Sequence, residues 1–227
     1  MLDIHELCKE FFNSNPVFFN ETDMICCFGH FISRKYEIDL RMEVANTIVN
    51  DLGNNYIRRS ISYDMVFTYD NVAYFFEFKY KTQKGDVSIV ESNLNFVYHF
   101  KNQVRININR YDVYYDLERC EKALNSPPSN YNSFSTKRAF VLLYSNHPNL
   151  WSNKGNNMSN DFTLNDGIKT KKQPRFDYSA YSTDFAKIKS VGKSRFEWDI
   201  KLINEYDVIW SDEIKYGFKY LLIEVRN

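Results

Sequence analysis

The sequence predicts an α/β domain built on a mixed sheet. Three observations carry this. Apolar residues recur at helical spacing in two stretches, 36–52 and 111–124. Between them, Asp64–Thr68 and Val72–Tyr80 read as two strands of a hairpin joined by a tight turn at Tyr69-Asp70-Asn71. Ala139–Tyr144 is a short unbroken apolar run, the mark of a strand buried on both faces. The predicted order is helix, three strands, helix, strand, then a tail with further strands.

The remaining elements follow in chain order. Leu2, Ile4, Leu7, Cys8, Phe11 and Phe12 give residues 1 to about 13 a broad apolar helical face, stopped by Asn13-Ser14-Asn15-Pro16. In 36–52, Ile38, Met42, Ala45, Ile48, Val49 and Leu52 step by three and four, and Gly53 stands at a helix-ending position. Tyr56–Ile61 is the first and weakest of the three strands. Residues 86–109 suit either an extended chain, by the Ile106/Ile108 alternation, or a helix. Asn125-Ser126-Pro127-Pro128 ends the helix that begins at Tyr111. Residues 145–166 are rich in Asn, Ser and Gly and read as a loop. Lys201–Asn204 and Tyr220–Val225 read as late strands.

Composition narrows the classes open to the chain. It has 227 residues, enough for one domain with a sizeable core, here taken as 1–227 with a polar and basic insertion around 152–195. Basic and acidic residues balance at 29 each, which excludes a polybasic, histone-like protein but not a local basic patch. Such a patch exists: residues 169–195 hold eight basic residues, Lys171, Lys172 and Arg175 among them, against two acids. Phe176, Tyr178 and Tyr181 are interleaved there. Lysine and arginine contact phosphates and aromatic rings stack on bases, so this segment is a candidate nucleic-acid surface, equally readable as a solvated insertion. Arg58, Arg59, Lys81 and Lys84 could supplement it. Cys8, Cys26, Cys27 and Cys120 form no CxxC pair and read as free thiols of a reducing compartment. The first residues carry acids where a signal peptide needs bases, and no apolar stretch reaches the length of a membrane span. A soluble, cytoplasmic protein is expected.

The chemistry concentrates in the hairpin. Alternate strand residues share a face, so Glu77 and Lys79 point one way while Phe76 and Phe78 point the other. Asp64, on the partner strand, falls near Glu77 across the ladder. Two carboxylates and an ammonium make a hard, oxygen-rich site suited to Mg²⁺ or Mn²⁺. On the later helix Asp112 and Asp116 stand four residues apart on one face and need a cation; Arg110, Arg119, Lys79 and Lys81 are the candidates. They could support the metal ligands from behind or belong to the surface. His30 reads as an ordinary surface or core residue rather than a ligand.

This order of elements, with Asp64 and the Glu77-x-Lys79 pair on a hairpin, resembles the PD-(D/E)XK, or restriction-endonuclease-like, nuclease superfamily. More narrowly, it is similar to bacterial proteins of that class with a third strand like Glu77-Phe78-Lys79-Tyr80-Lys81-Thr82. In these a helix like Arg110–Arg119 follows, then a strand running into a polar turn and a Trp, here Ser145–Trp151, and a final run like Phe218–Val225. The resemblance covers about residues 36–151 and 196–226. One departure is Tyr63, where the motif has Pro.

The resemblance implies a restriction-endonuclease-like core and metal-dependent hydrolysis of phosphodiester bonds in nucleic acid. DNA is favoured, with restriction, phage defence or repair as settings. It assigns Asp64 and Glu77 as metal ligands and Lys79 as water activator or transition-state stabiliser. It also implies a further Glu on the helix before the hairpin. Glu37 is preferred and Glu43 is the alternative; they lie about 120° apart around a helix axis. A homodimer would suit cutting of both strands. The other readings are a non-catalytic module that binds nucleic acid or a partner protein, and an effector active only with a partner.

Overall fold

A computed structural model of the chain describes residues 1–51, 56–91, 93–103, 105–152, 157–175 and 200–226, with backbone alone at 47–51, 56–60, 91 and 157–159. The chain folds as α/β with a five-stranded mixed sheet in the order β1-β2-β3-β6-β9. The strands are β1 (Leu40–Asp51), β2 (Tyr56–Tyr69), β3 (Val72–Lys81), β6 (Thr136–Ser145) and β9 (Lys219–Val225). β3 runs parallel to β6; the other neighbours are antiparallel. A separate hairpin, β4 (Gly85–Glu91) and β5 (Leu94–Phe100), follows β3, and β7 (Ile168–Lys169) pairs with β8 (Asp207–Val208).

Helices cover both faces. α1 (Ile4–Ser14) and α2 (Glu21–Tyr36) lie on one side, where Phe11, Phe12 and Phe28 meet Phe76, Phe78 and Tyr144. α3 (Ile106–Asn125) and the C-terminal segments lie on the other, where Val113, Leu117 and Cys120 meet Phe75, Val141 and Leu143. β3 is therefore buried on both faces, as its long apolar run requires. Among the described residues, no helix is long and apolar enough to cross a membrane.

Several predicted elements hold. α1 is capped by the Asp3 carboxylate on Glu6 N, and Leu7, Phe11 and Phe12 are its buried face. The Asp70-Asn71 turn has both residues at positive φ, the geometry of a two-residue type I′ hairpin. β6 and β9 fall where the apolar runs place them.

Others are corrected. The expected helix is absent over 37–51: α2 ends at Tyr36 and β1 runs Leu40–Asp51, while Leu52 and Gly53 lie outside the described residues. The helical spacing there has a strand origin. Glu43 sits at φ 51°, and the pairing with β2 skips the Glu43/Asp64 position. Leu40 and Met42 reach the α2 side, at Gly29, while Val44 packs on the α3 side. The change of face at Glu43 breaks the two-residue period there; of the residues that made the helical spacing, Met42 and Ala45 are exposed, and the side chains of Ile48, Val49 and Leu52 are outside the described ones. α2 escapes notice because Thr22, Ile25, Cys26, Cys27 and Gly29 are weak helix formers; tertiary contact of Met24, Phe28 and Ile32 stabilises it. Gly29 packs closely on β1, where a Cβ would lie 2.8 Å from Cε at the flexible end of Met42 and displace it.

The two expected strands Tyr56–Ile61 and Asp64–Thr68 are one continuous β2. The ambiguous 86–109 region holds both β4 with β5 and the first turn of α3, which has no side-chain cap to announce it. Lys201–Asn204 is not a strand, because the Ile203 and Asn204 amides donate to the buried Glu121 carboxylate instead of to a ladder.

Candidate metal centre

The site forms where the sheet forks. β2 and β3 pair from Tyr69/Val72 to Met65/Phe76 and no further. Beyond that point β2 stays with β1 and β3 with β6. On β2, Tyr63 and Val66 both face α3 while Met65 and Phe67 face α2, so the strand changes phase at Asp64. The fork leaves β3 amides without a ladder partner. Asp64 Oδ2 accepts from Phe78 N at 2.7 Å, and Glu21 Oε2 accepts from Tyr80 N at 2.8 Å. Two carboxylates thus take the place of strand carbonyls.

Glu77 and Lys79 project from β3 toward α3, on the face shared with Ala73 and Phe75. α3 answers with a helical turn of complementary charge. Lys79 Nζ lies 2.6 Å from Asp116 Oδ2 and donates to Phe78 O at 3.0 Å. Arg119 Nη1 bonds Asp116 Oδ1 at 3.2 Å, and Arg119 Nη2 lies 2.8 Å from Glu77 Oε1. Glu77 is 0 % exposed, and neither of its oxygens has a hydrogen-bond partner. The Arg119 contact lies within ion-pair distance but outside hydrogen-bond geometry, and Nη2 also donates to Ser62 O. Lys81 closes the outer side of the site, 3.5 Å from Glu21 Oε2.

The electrostatics follow from burial. Removal from water pushes the Asp64 carboxyl up to about 6; Lys79 and the Phe78 amide pull against that rise, and Asp116 and Glu21 add to it. Burial, then the Asp116 charge, holds Glu77 well above the carboxylate range against the pull of Arg119. For Lys79, burial favours the neutral amine, but Asp116, Glu21, Glu77 and Asp64 outweigh it and hold the ammonium above its ordinary value.

The site thus brings together Asp64, Glu77, Lys79, Lys81 and Asp116 among the residues singled out by sequence. It does not bring in Glu37 or Glu43. Glu37 is the exposed C-cap of α2, about 24 Å along the helix from Glu21. Glu43 is exposed on β1 and accepts from Ser62 Oγ at 2.9 Å. The acid at this helix's site end is Glu21, missed because α2 was missed. Asn20 followed by Glu21 and Asp23 was the available signal: the Asn20 side chain accepts from Asp23 N. Asp112 is buried on α3, one turn before Asp116. His30 is exposed on α2.

Lys171, Lys172 and Arg175 lie on an exposed segment beside α3, where Lys171 N donates to the Tyr114 hydroxyl. Lys171 Nζ is paired with Asp161, and the Arg175 amide donates to the same carboxylate. Arg58 and Arg59 belong to β2 with side chains outside the described ones, and the basic stretch 176–195 lies outside the described residues altogether.

Among the described residues, no three Asp, Glu, His or Cys groups come together as a ready metal cage. Mg²⁺ does not need one: it is bound through one or two carboxylates, with water and phosphate oxygens completing the shell. The buried Glu77 oxygens, without hydrogen bonds beside the partly exposed Asp64, fit that description. Comparison with protein-family models, with curated proteins and with solved structures returns no match.

Proposed function

We propose that the protein is a Mg²⁺- or Mn²⁺-dependent phosphodiesterase acting on nucleic acid, with DNA the favoured substrate, built on a restriction-endonuclease-like core. The observation that supports this best is the fork between β2 and β3, which sets Asp64, Glu77 and Lys79 side by side. Asp64 and Glu77 would hold the cation, with Glu21 at the outer side. Bound there, the ion would polarise a phosphate oxygen and acidify its water. Lys79, kept protonated by its carboxylate neighbours, suits stabilisation of negative charge developing on phosphate better than proton abstraction. Lys81 lies beside the site to contact a neighbouring phosphate, and Lys171, Lys172, Arg175 and Arg58 are the proposed outer contacts.

The test is cleavage of plasmid, linear, single-stranded and RNA substrates with Mg²⁺, with Mn²⁺ and with EDTA. Glu77→Gln should abolish metal-dependent cleavage while the protein stays folded. Full activity in that variant would sink the proposal.

One observation favours a second reading. Glu77, Arg119, Asp116 and Lys79 form a continuous chain of charges with equal numbers of each sign. Such a chain is stable without a metal and would suit a non-catalytic module that binds nucleic acid or a partner. Calorimetric titration separates the two: no uptake of Mn²⁺ or Mg²⁺ favours the module.

A further inference from the structure

Arg119 stands where the reading above needs a cation. Its Nη2 is 2.8 Å from Glu77 Oε1 and also donates to Ser62 O, and Nη1 donates to Asp116 Oδ1. The contact falls outside hydrogen-bond geometry, so Glu77 receives charge from Arg119 and no directional bond. The guanidinium has its own seat, between the rings of Tyr63 and Tyr115, with its carbon 6.0 and 5.9 Å from their centroids. Tyr63 is the residue that departs from the motif.

The geometry points to Arg119 as a built-in counter-ion that competes with a divalent cation for Glu77. The inference rests on the metal-site reading. A neighbouring positive charge offsets part of the burial cost of the Glu77 carboxylate. Arg119 supplies it before metal arrives. When a divalent ion takes Glu77, Arg119 gives up a contact that holds no hydrogen bond, and it keeps Ser62 O, Asp116 and both rings. The exchange needs only a small displacement of the guanidinium. It makes metal loading weaker than the carboxylates alone would allow. It also keeps the centre from collapsing when empty of metal.

Mn²⁺ binding at pH 8, measured by calorimetry, tests this on the full chain. Arg119→Gln should bind about tenfold more tightly than the native protein, the worth of one charge-assisted contact. Arg119→Lys, which keeps the charge, should lie close to native, and Glu77→Gln should lose the site. Equal or weaker binding by Arg119→Gln overturns the inference, as does absence of binding in every form. Should Arg119→Gln fail to fold, ¹⁵N spectra of the native arginine side chains titrated with Mg²⁺ decide. The Arg119 signal should move as the site fills, and an unmoved signal at saturation refutes the competition. Cleavage is not a readout here. A native protein that shows the competition yet cleaves nothing would sink the phosphodiesterase proposal and leave this one standing.

Discussion

Asp64 does two jobs that pull stability in opposite directions, and they can be separated by substitution. Its Oδ2 satisfies the Phe78 amide at the fork, and its charge sits in a site that burial makes unfavourable for it. Raising a carboxyl from 3.8 to about 6 corresponds to about 2 to 3 kcal/mol between the two ionised and protonated states. Between about pH 4 and pH 6 the folded chain holds a proton that the unfolded chain has released, so stability falls as pH rises through that window. Above it, the full cost of the charge is present.

Asp64→Asn keeps an acceptor for Phe78 N and removes the charge. It should be more stable than the native protein by about 2 kcal/mol at pH 8 in EDTA, and equal to it below about pH 4. Asp64→Ala leaves the amide without a partner and should lie about 1 to 3 kcal/mol below Asp64→Asn at either pH. Urea unfolding followed by tryptophan fluorescence reads all three, since Trp151 and Trp210 pack at 5.1 Å beside the α3 face. If native and Asp64→Asn proteins differ equally at pH 4 and pH 8, the charge argument fails. If Asp64→Ala matches Asp64→Asn, the amide has another partner and the fork is wrongly described.

Three further outcomes follow from the same geometry. Glu21→Gln should weaken Mn²⁺ binding about tenfold while Glu37→Gln leaves it unchanged; the reverse order by calorimetry would place the wrong end of α2 at the site. Lys79→Met should cost about 3 kcal/mol in urea unfolding, because it removes a cation from the 2 %-exposed Asp116, and adding Asp116→Asn should recover much of the loss. A cost under about 0.5 kcal/mol would show that Arg119 alone suffices. Glu121 accepts from Ile203 N, Asn204 N and the Tyr206 hydroxyl, so Glu121→Ala should cost about 2 to 4 kcal/mol, with Glu121→Gln milder. Equal losses in the two would show that volume, not hydrogen bonding, matters there.

The candidate site was legible where its signal is local. Glu77 and Lys79 share a face because strand geometry repeats every two residues, and Phe76 and Phe78 on the other face made the phase visible. Asp116 needed a cation, and it has two of the four proposed for the Asp112/Asp116 pair, Lys79 and Arg119. Glu21 was hidden because its helix has few strong helix formers and is stabilised by packing on β2 and β3. In the region after it, apolar residues at helical spacing belong to a strand that pairs with β2 and changes face at Glu43, so the spacing did not report burial: Met42 and Ala45 are exposed.

The sequence by itself determined the α/β class, the hairpin with its Asp70-Asn71 turn, the buried strand β6 and the pairing of Glu77 with Lys79 on one face. All of these depend on local periodicity and turn chemistry, which act between residues close in the chain. Only the tertiary structure decided that β2 leaves β3 at Asp64, that Glu21 rather than Glu37 reaches the opened edge, and that Arg119 lies against Glu77. These depend on amides and charges left unpaired when distant segments meet. The partner that satisfies a buried group is set by which side chain the fold delivers to it, and no spacing within the chain records that.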